Sequence, residues 1–284
     1  MKKEFIVKQS GDLIKAILEI EPQLNFNILK TILRKKDVKV NGKRISKTQD
    51  VFCGDKVEIY LPEKKQIVVS KVYEDENILV CVKPQGMEVS LKDKTFTNSA
   101  CLEELTGFTA CHRIDKNTEG LVILAKTKNA LNSMIDGFKT GSIKKFYKVV
   151  VVGSPKKERD NLVSYLKKDE KNSVVKIFDT KVDGSTEIKT NYSLIKSNGS
   201  LSLLEVELLT GKTHQIRAHL SHIGLKVLGD EKYGNKQANK EYKVKKQQLC
   251  AYRLMFDFSV SNMFSYLNGK TFEITPSFNL ENFN

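Results

Sequence analysis

The densest run of side chains able to do chemistry is Cys111-His112-Arg113-Ile114-Asp115-Lys116-Asn117-Thr118-Glu119-Gly120-Leu121-Val122-Ile123-Leu124-Ala125-Lys126. A single carboxylate, Asp115, stands between a His-Arg pair and a Thr-Glu-Gly turn, and the apolar residues Leu121 to Leu124 follow without a break. An unbroken apolar run after a glycine reads as a buried strand. Asp115 is therefore expected in a loop that enters the core, where a rigid scaffold can hold it. An isolated Asp in such a place usually caps a turn. The neighbourhood of this one, a His-Arg pair before it and a Thr-Glu-Gly turn after it, argues against so plain a role.

Two further stretches carry reactive groups. Ile143-Lys144-Lys145-Phe146-Tyr147-Lys148-Val149-Val150-Val151-Val152-Gly153 opens with alternation and passes into a fully apolar strand. By itself, a Tyr entering a strand is ordinary β composition. Leu208-Leu209-Thr210-Gly211-Lys212-Thr213-His214-Gln215-Ile216-Arg217-Ala218-His219-Leu220 reads as a turn and then a helix. Thr213 is the expected N-cap, and Ile216, Leu220 and Ile223 form the expected core face. Arg217 lies beside that face and can point inward from it. His214, His219 and His222 cluster here, the last two at a helical ligand spacing. Zinc asks for a closed four-ligand set or carboxylate support. No acidic residue lies within the helix, so no metal site is expected.

His-Arg-x-Asp-x-x-Thr-x-Gly-Leu, residues 112–121, resembles the active-site signature of the RluA-type pseudouridine synthases. The acidic turn and strand Val72 to Val82, followed by Lys83-Pro84 and Gly86, are similar to the opening of that family's catalytic domain. Lys-x-Tyr at 145–147 matches its second motif, and Thr-Gly-basic-Thr-His-Gln-x-Arg at 210–217 its third. Gly229-Asp230 and Tyr233-Gly234 continue the pattern, while Cys250 stands where these proteins usually carry His. The resemblance implies that Asp115 is the nucleophile and that Tyr147 stacks on the base, available for proton transfer at C5. It also implies that Arg217 is the cation that offsets burial of the carboxylate. Arg113 resembles the residue that helps hold the flipped nucleotide. His112 and Lys212, in the same motifs, are expected to contact RNA. The reaction breaks the bond from ribose C1′ to uracil N1 and rejoins the base through C5. It needs no redox change or energy input, so no cofactor is expected. Attack on C6 of the base and attack on C1′ of the sugar both remain open.

The elements that must position these groups span 284 residues with a net charge of +14 and a pI near 9.4. Such an excess points to a polyanionic partner, most simply nucleic acid. No apolar run approaches the roughly 20 residues that span a bilayer, and Met1-Lys2-Lys3-Glu4 opens no signal-peptide pattern. A cytoplasmic protein with no membrane partner is expected. The cysteines at 53, 81, 101, 111 and 250 form no CxxC pair and suggest no disulfide framework.

Near the N-terminus, Leu13, Ile14, Ile17 and Leu18 mark one helical face, and Ile28, Leu29, Ile32 and Leu33 a second. A short strand, Val38-Lys39-Val40, and a hairpin turn at Asn41-Gly42 come next. Between Lys30 and Lys47 the eight basic residues Lys30, Arg34, Lys35, Lys36, Lys39, Lys43, Arg44 and Lys47 face one acid, Asp37. Basic residues gathered on a helix–turn–strand unit fit phosphate contacts. Leu-Arg-Lys-x-Asp-Val-x-Val-Asn-Gly-Lys, with Gly54-Asp55-Lys56-Val57, resembles the S-four-type RNA-binding domain, named after a ribosomal protein.

The expected fold is thus α+β. An S4-like RNA-binding module at 1–62, a linker at 63–70 and a pseudouridine synthase domain at 71–284 follow in order. In the last, a mixed, largely antiparallel sheet is flanked by helices. The expected partner is RNA, large-subunit ribosomal RNA (23S) first and transfer RNA second, bound by a monomer. A non-catalytic RNA-binding or ribosome-assembly factor is the alternative, and intact Asp115, Tyr147 and Arg217 speak against it.

Overall fold

The computed structural model describes residues 2–22, 24, 26–61, 69–91, 101–258 and 262–283. The chain divides into two compact units, one built from described residues of 2–61 and the other from those of 69–90 and 101–283. The linker expected at 63–70 falls largely outside the described residues, and Ser70 already opens a strand.

The first unit contains β1 (Lys2–Ile6), β2 (Gly11–Asp12), α1 (Leu13–Ile20), α2 (Phe26–Arg34), β3 (Val38–Val40), β4 (Lys43–Ile45), β5 (Asp50–Val51) and β6 (Lys56–Tyr60). Its main sheet has the order β1-β6-β3-β4 and is antiparallel, with β2 and β5 paired apart from it. Asp12 caps α1 by accepting the N–H groups of Ile14 at 2.9 Å and Lys15 at 3.2 Å. Leu13, Ile14 and Ile17 of α1 and Leu29, Ile32 and Leu33 of α2 bury against Val38, Val57 and Ile59 of the sheet. The Ile28 side chain lies outside the described residues. Asn41 and Gly42 have φ of 50° and 79°, the paired positive values of a two-residue hairpin turn.

The second unit contains β7 (Ser70–Glu74), β8 (Ile78–Lys83), α3 (Leu102–Thr106), β9 (Thr109–Ala110), β10 (Glu119–Ala125), α4 (Lys128–Thr140) and β11 (Ile143–Val152). There follow β12 (Arg159–Asp169), β13 (Val174–Phe178), β14 (Thr186–Ser197), β15 (Leu201–Leu208), α5 (Gln215–His222), α6 (Lys236–Glu241), β16 (Leu249–Phe256) and β17 (Thr271–Glu273). One sheet runs β13-β12-β14-β15-β11-β16-β10-β8-β7, with β9 added to β10 and β17 to β16. Every strand pairing in it is antiparallel except β10 with β16, so the sheet is mixed and largely antiparallel. Alternate residues of β10 serve two cores. Val122 and Leu124 join Tyr147, Val149 and Val206 with Ile216 and Leu220 of α5. Leu121 and Ile123 join Phe256 and Ala130 and Met134 of α4. None of the described helices is long and apolar enough to cross a membrane.

Gly120 sits where β10 turns in beside β16. Its φ is 128°, and a Cβ there would lie 2.3 Å from the Ala251 carbonyl oxygen, so only glycine permits the approach. The apolar strand β16, which pairs with β10, ends at Phe256.

Two expectations for α5 are corrected. Thr213 does not cap the helix. His214 holds the cap position at φ 53°, in the left-handed region, with no side-chain cap bond. The Gln215 amide ties the turn instead. Its Oε1 accepts Thr210 Oγ1 at 2.9 Å and the Lys212 N–H at 3.0 Å, while its Nε2 donates to the Lys189 carbonyl at 3.0 Å. Ile223 lies beyond the last helical residue and is 39% exposed. Gly224, at φ 87°, ends the helix and lets Leu225 take the buried place.

Candidate active site

The loop before β10 is fastened from two sides before any reactive group is considered. Asp115 opens a turn in which its carbonyl accepts the Thr118 N–H at 3.0 Å. The Lys116 carbonyl accepts the Gly86 N–H at 2.8 Å and the Lys83 ammonium at 3.0 Å. Lys83 is fully buried and also donates to the carbonyls of Met87 at 2.8 Å and Pro84 at 3.0 Å. Burial without a bonded carboxylate lowers its pKa to about 8. Thr118 Oγ1 is held by Gln247 Nε2 at 2.5 Å. Behind the loop, His112 accepts the Ile123 N–H through Nε2 at 3.1 Å and lies against Phe138, ring centroids 4.7 Å apart. Burial pushes its pKa down to about 3, so the ring is neutral and serves the scaffold.

Arg217 projects from α5 into the same place and is only 6% exposed. Its Nη1 donates to Asp115 Oδ2 at 2.7 Å, while Nε and Nη2 grip the two oxygens of Asp230 at 2.6 and 2.9 Å. Asp230 also accepts the N–H groups of Lys232 at 2.8 Å and Tyr233 at 3.1 Å. Burial works against both charges of the inner pair. The bonds between them outweigh it, raising the Arg217 pKa and lowering that of Asp230.

Tyr147 enters from β11, where the ladder to β16 shifts register between Phe146 and Tyr147. Such a bulge re-aims the side chains beside it. The Tyr147 ring is 5% exposed. Burial, and then the nearby Asp115 charge, raise the pKa of its phenol, so it stays protonated.

His112, Asp115, Thr118, Tyr147 and Arg217 line one cavity of about 600 Å³. Arg113, Lys139, Lys145, Lys212 and Arg217 face it with Asp115 as their one carboxylate. A concave, cation-lined site of this kind suits a nucleotide with its phosphate. Among the described residues no group of three or more His, Cys, Asp or Glu is placed to hold a metal ion.

The structure thus brings Asp115, Tyr147, Arg217, Arg113, His112 and Lys212 to one cavity. The other basic candidates lie in the first unit. Lys30 and Arg34 stand on α2, Lys35 and Lys36 follow it, Lys39 lies on β3, and Lys43 and Arg44 on β4. All are exposed except half-buried Lys39, and Arg44 Nη1 donates to the Lys36 carbonyl at 2.6 Å. Sequence reasoning passed over Asp230, Lys83, Gln215 and His214 as site residues. Each stood inside a quoted motif, but only spatial pairing shows what it holds.

The model of the RNA pseudouridylate synthase family matches residues 77–222. Ribosomal large subunit pseudouridine synthase C of Rickettsia felis is 31% identical over 80% of this chain and 83% of its own length. Ribosomal large subunit pseudouridine synthase D of Borreliella burgdorferi is 29% identical over 82% of this chain and 79% of its own. Among solved structures, human RNA Pseudouridylate Synthase Domain Containing 1 superposes with a TM-score of 0.58 at 21% identity, over 78% of this chain and 95% of that one, a likeness of fold. With a sheet of the same kind, a cavity built around Asp115 and a family match across half its length, the chain belongs to the RNA pseudouridylate synthases, isomerases that act on RNA.

Proposed function

We propose that this enzyme converts uridines of large-subunit ribosomal RNA to pseudouridine with Asp115 as nucleophile. The observation that carries the reading is the Asp115 carboxylate at the cavity wall, bonded on one oxygen by Arg217 at 2.7 Å, with the buried Tyr147 ring on the same cavity. The names of the relatives support the choice of RNA.

The chemistry follows from what each group can do. Uridine lies stacked in structured RNA, so the target must leave its stack to reach a cavity of this size. Tyr147 offers an aromatic face to the base. Arg217 holds one oxygen of Asp115 and fixes the carboxylate's direction, which leaves the second oxygen for attack. Asp115 bonds to C1′ or to C6 and the C1′–N1 bond breaks; the base turns within the cavity, C5 bonds to C1′, and the bond to Asp115 breaks to return the free carboxylate. A proton then leaves C5 and one returns to N1, so no net oxidation occurs and no cofactor is needed. Arg113 and Lys212 stand ready for the phosphates on either side, and Arg113 holds the flipped nucleotide. In this reading residues 1–62 are an S4-like RNA-binding module that supplies placement, and the enzyme works as a cytoplasmic monomer.

The test is Asp115→Asn, which keeps volume and removes the charge. Pseudouridine would be mapped by chemical derivatisation in large-subunit RNA and in transfer RNA after incubation with each protein. Turnover of the variant should fall by several orders of magnitude with RNA binding nearly intact. Residual activity within about tenfold of wild type would sink the nucleophile assignment, and product confined to transfer RNA would sink the ribosomal one.

A further inference from the structure

His214 lines the same cavity but has no part in the chemistry set out above. Its backbone holds φ 53° at the head of α5, a region few residues with a side chain adopt. Strain of that kind persists where the surroundings enforce it, often at sites of function.

The enforcing contacts form a chain. The Val175 N–H on β13 donates to the Tyr233 hydroxyl oxygen at 2.7 Å, and that oxygen lies 3.0 Å from His214 Nδ1. The two rings meet edge-on with centroids 5.6 Å apart. A peptide N–H can only donate, so the phenol oxygen is an acceptor toward Val175. Its own proton has one acceptor among the described residues, His214 Nδ1. An Nδ1–H would instead set two donors on that oxygen and leave the phenol proton without a partner. Nδ1 is therefore the acceptor, and the imidazole proton resides on Nε2. Tyr233 is fixed in turn by its own N–H to Asp230. The loop that grips Arg217 thus also sets the tautomer of His214. The charged groups acting on His214 are Asp115, Arg217, Lys232 and Asp230, two of each sign. Burial, the largest influence, lowers the imidazole pKa and so favours the neutral ring.

We propose that His214 touches the substrate, the Val175–Tyr233–His214 chain holding it as the Nε2–H tautomer that donates to a carbonyl oxygen of the flipped uracil. A neutral donor beside Asp115 orients an uncharged base without competing with Arg217 for the carboxylate. The cavity's lysines and Arg113 are better matched to phosphate, which leaves the neutral N–H for the base. The proposal rests on the pseudouridine synthase reading of this site.

Long-range ¹H–¹⁵N spectra of the full chain labelled in histidine give a readout independent of turnover. His214 should show a protonated Nε2 and a bare Nδ1 at pH 7.5. In Tyr233→Phe this signature should be lost, the ring exchanging between tautomers. A protonated Nδ1 in the wild type, or an imidazolium at pH 7, overturns the chain of bonds. With large-subunit RNA transcript as substrate, His214→Ala should lower the single-turnover rate at saturating RNA by ten- to a hundredfold. His214→Gln, whose amide N–H falls near the place of Nε2–H, should recover most of that loss. Equal rates for the Ala and Gln variants overturn the donor role. A loss confined to RNA affinity, with a shallower salt dependence, overturns the uracil contact and moves it to a phosphate. Failure of the parent reading is separate, because it shows as an active Asp115→Asn whatever the spectra report.

Discussion

Arg217 divides one positive charge between two carboxylates that are not equivalent. Asp230 has a fully enclosed side chain and takes two of the guanidinium's bonds, whereas Asp115 takes one and keeps 26% of its side chain exposed. Arg217→Leu leaves both acids without their cation, and the enclosed one cannot turn to water. Loss of one partner of a buried pair costs about 3–5 kcal/mol, so activity and stability should fall together. Adding Asp230→Asn should restore much of that stability, and adding Asp115→Asn should restore less. Urea unfolding of the two double variants decides it, and equal rescue would show that Asp115 is as tightly enclosed as Asp230. The sequence singled out Asp115, Tyr147 and Arg217, because each stands in a motif of the family the chain resembles. It marked Asp230 only as part of a Gly-Asp pair continuing the pattern and gave it no role, since such a pair reads as a turn until the guanidinium 13 positions earlier is seen to face it. His214 was hidden for a related reason. In sequence it belonged to a cluster of three histidines, and only folding sends each to a different partner: Tyr233, Thr190 and Asp179.

At the scale of elements, the strands and helices were legible wherever apolar residues kept one period. Alternation and apolar runs marked β8, β10 and β11, and the Asn-Gly turn marked the β3–β4 hairpin. The start of α5 was not legible, because a residue in the left-handed region replaces the usual cap and a glutamine amide does the tying. The close approach of β10 to β16 was equally hidden, since it depends on pairing between residues 131 positions apart, Gly120 with Ala251. Gly120→Ala would drive a Cβ to 2.3 Å from the Ala251 carbonyl oxygen at φ 128°. A destabilisation of at least about 2 kcal/mol is expected, with activity lost beyond what unfolding explains because the Asp115 turn leads straight into this contact. Urea unfolding and single-turnover rates measure the two parts, and a cost under about 0.5 kcal/mol would show that the strands part easily. The anchoring of α5 makes a second prediction. His219 is fully buried, bonds Thr190 Oγ1 through Nδ1 at 3.0 Å, and has its pKa lowered by burial to about 4. The unfolded chain takes up this proton near pH 6.5 and the folded chain only near 4, so stability is full above 6.5 and declines as the pH falls through that window. Between pH 7 and 5 the decline from this residue should be about 2 kcal/mol. His112 acts in the same direction. In His219→Asn, which cannot titrate there, the pH dependence of urea unfolding should flatten. An unchanged slope would mean that His219 protonates in the folded protein as readily as in the unfolded one.

Across the whole molecule, the net charge of +14 is distributed over two units with different cores. The cavity and its carboxylate belong to the second unit, and the exposed basic residues of α2, its following turn and β4 belong to the first. If those residues bind phosphates, they contribute affinity and placement and leave the reacting groups untouched. The side chains of Arg34, Lys35, Lys36 and Lys43 are exposed, so changing all four to Gln in the full chain should leave its stability nearly unchanged. Each phosphate contact removed lowers the steepness of log K against log salt by about 0.7–0.9. Loss of four contacts should therefore make the salt dependence shallower by about 3 and weaken binding most at low salt. The single-turnover rate at saturating RNA should stay within about tenfold of wild type, because saturation removes the affinity difference and Asp115, Arg217 and Tyr147 are intact. Binding titrations at several salt concentrations give the slope, and the rate is measured separately at saturation. An unchanged slope would show that this basic surface does not meet the RNA backbone. A collapsed saturating rate in the folded variant would show that the first unit does more than bind, and that its contacts help to present the uridine to the second.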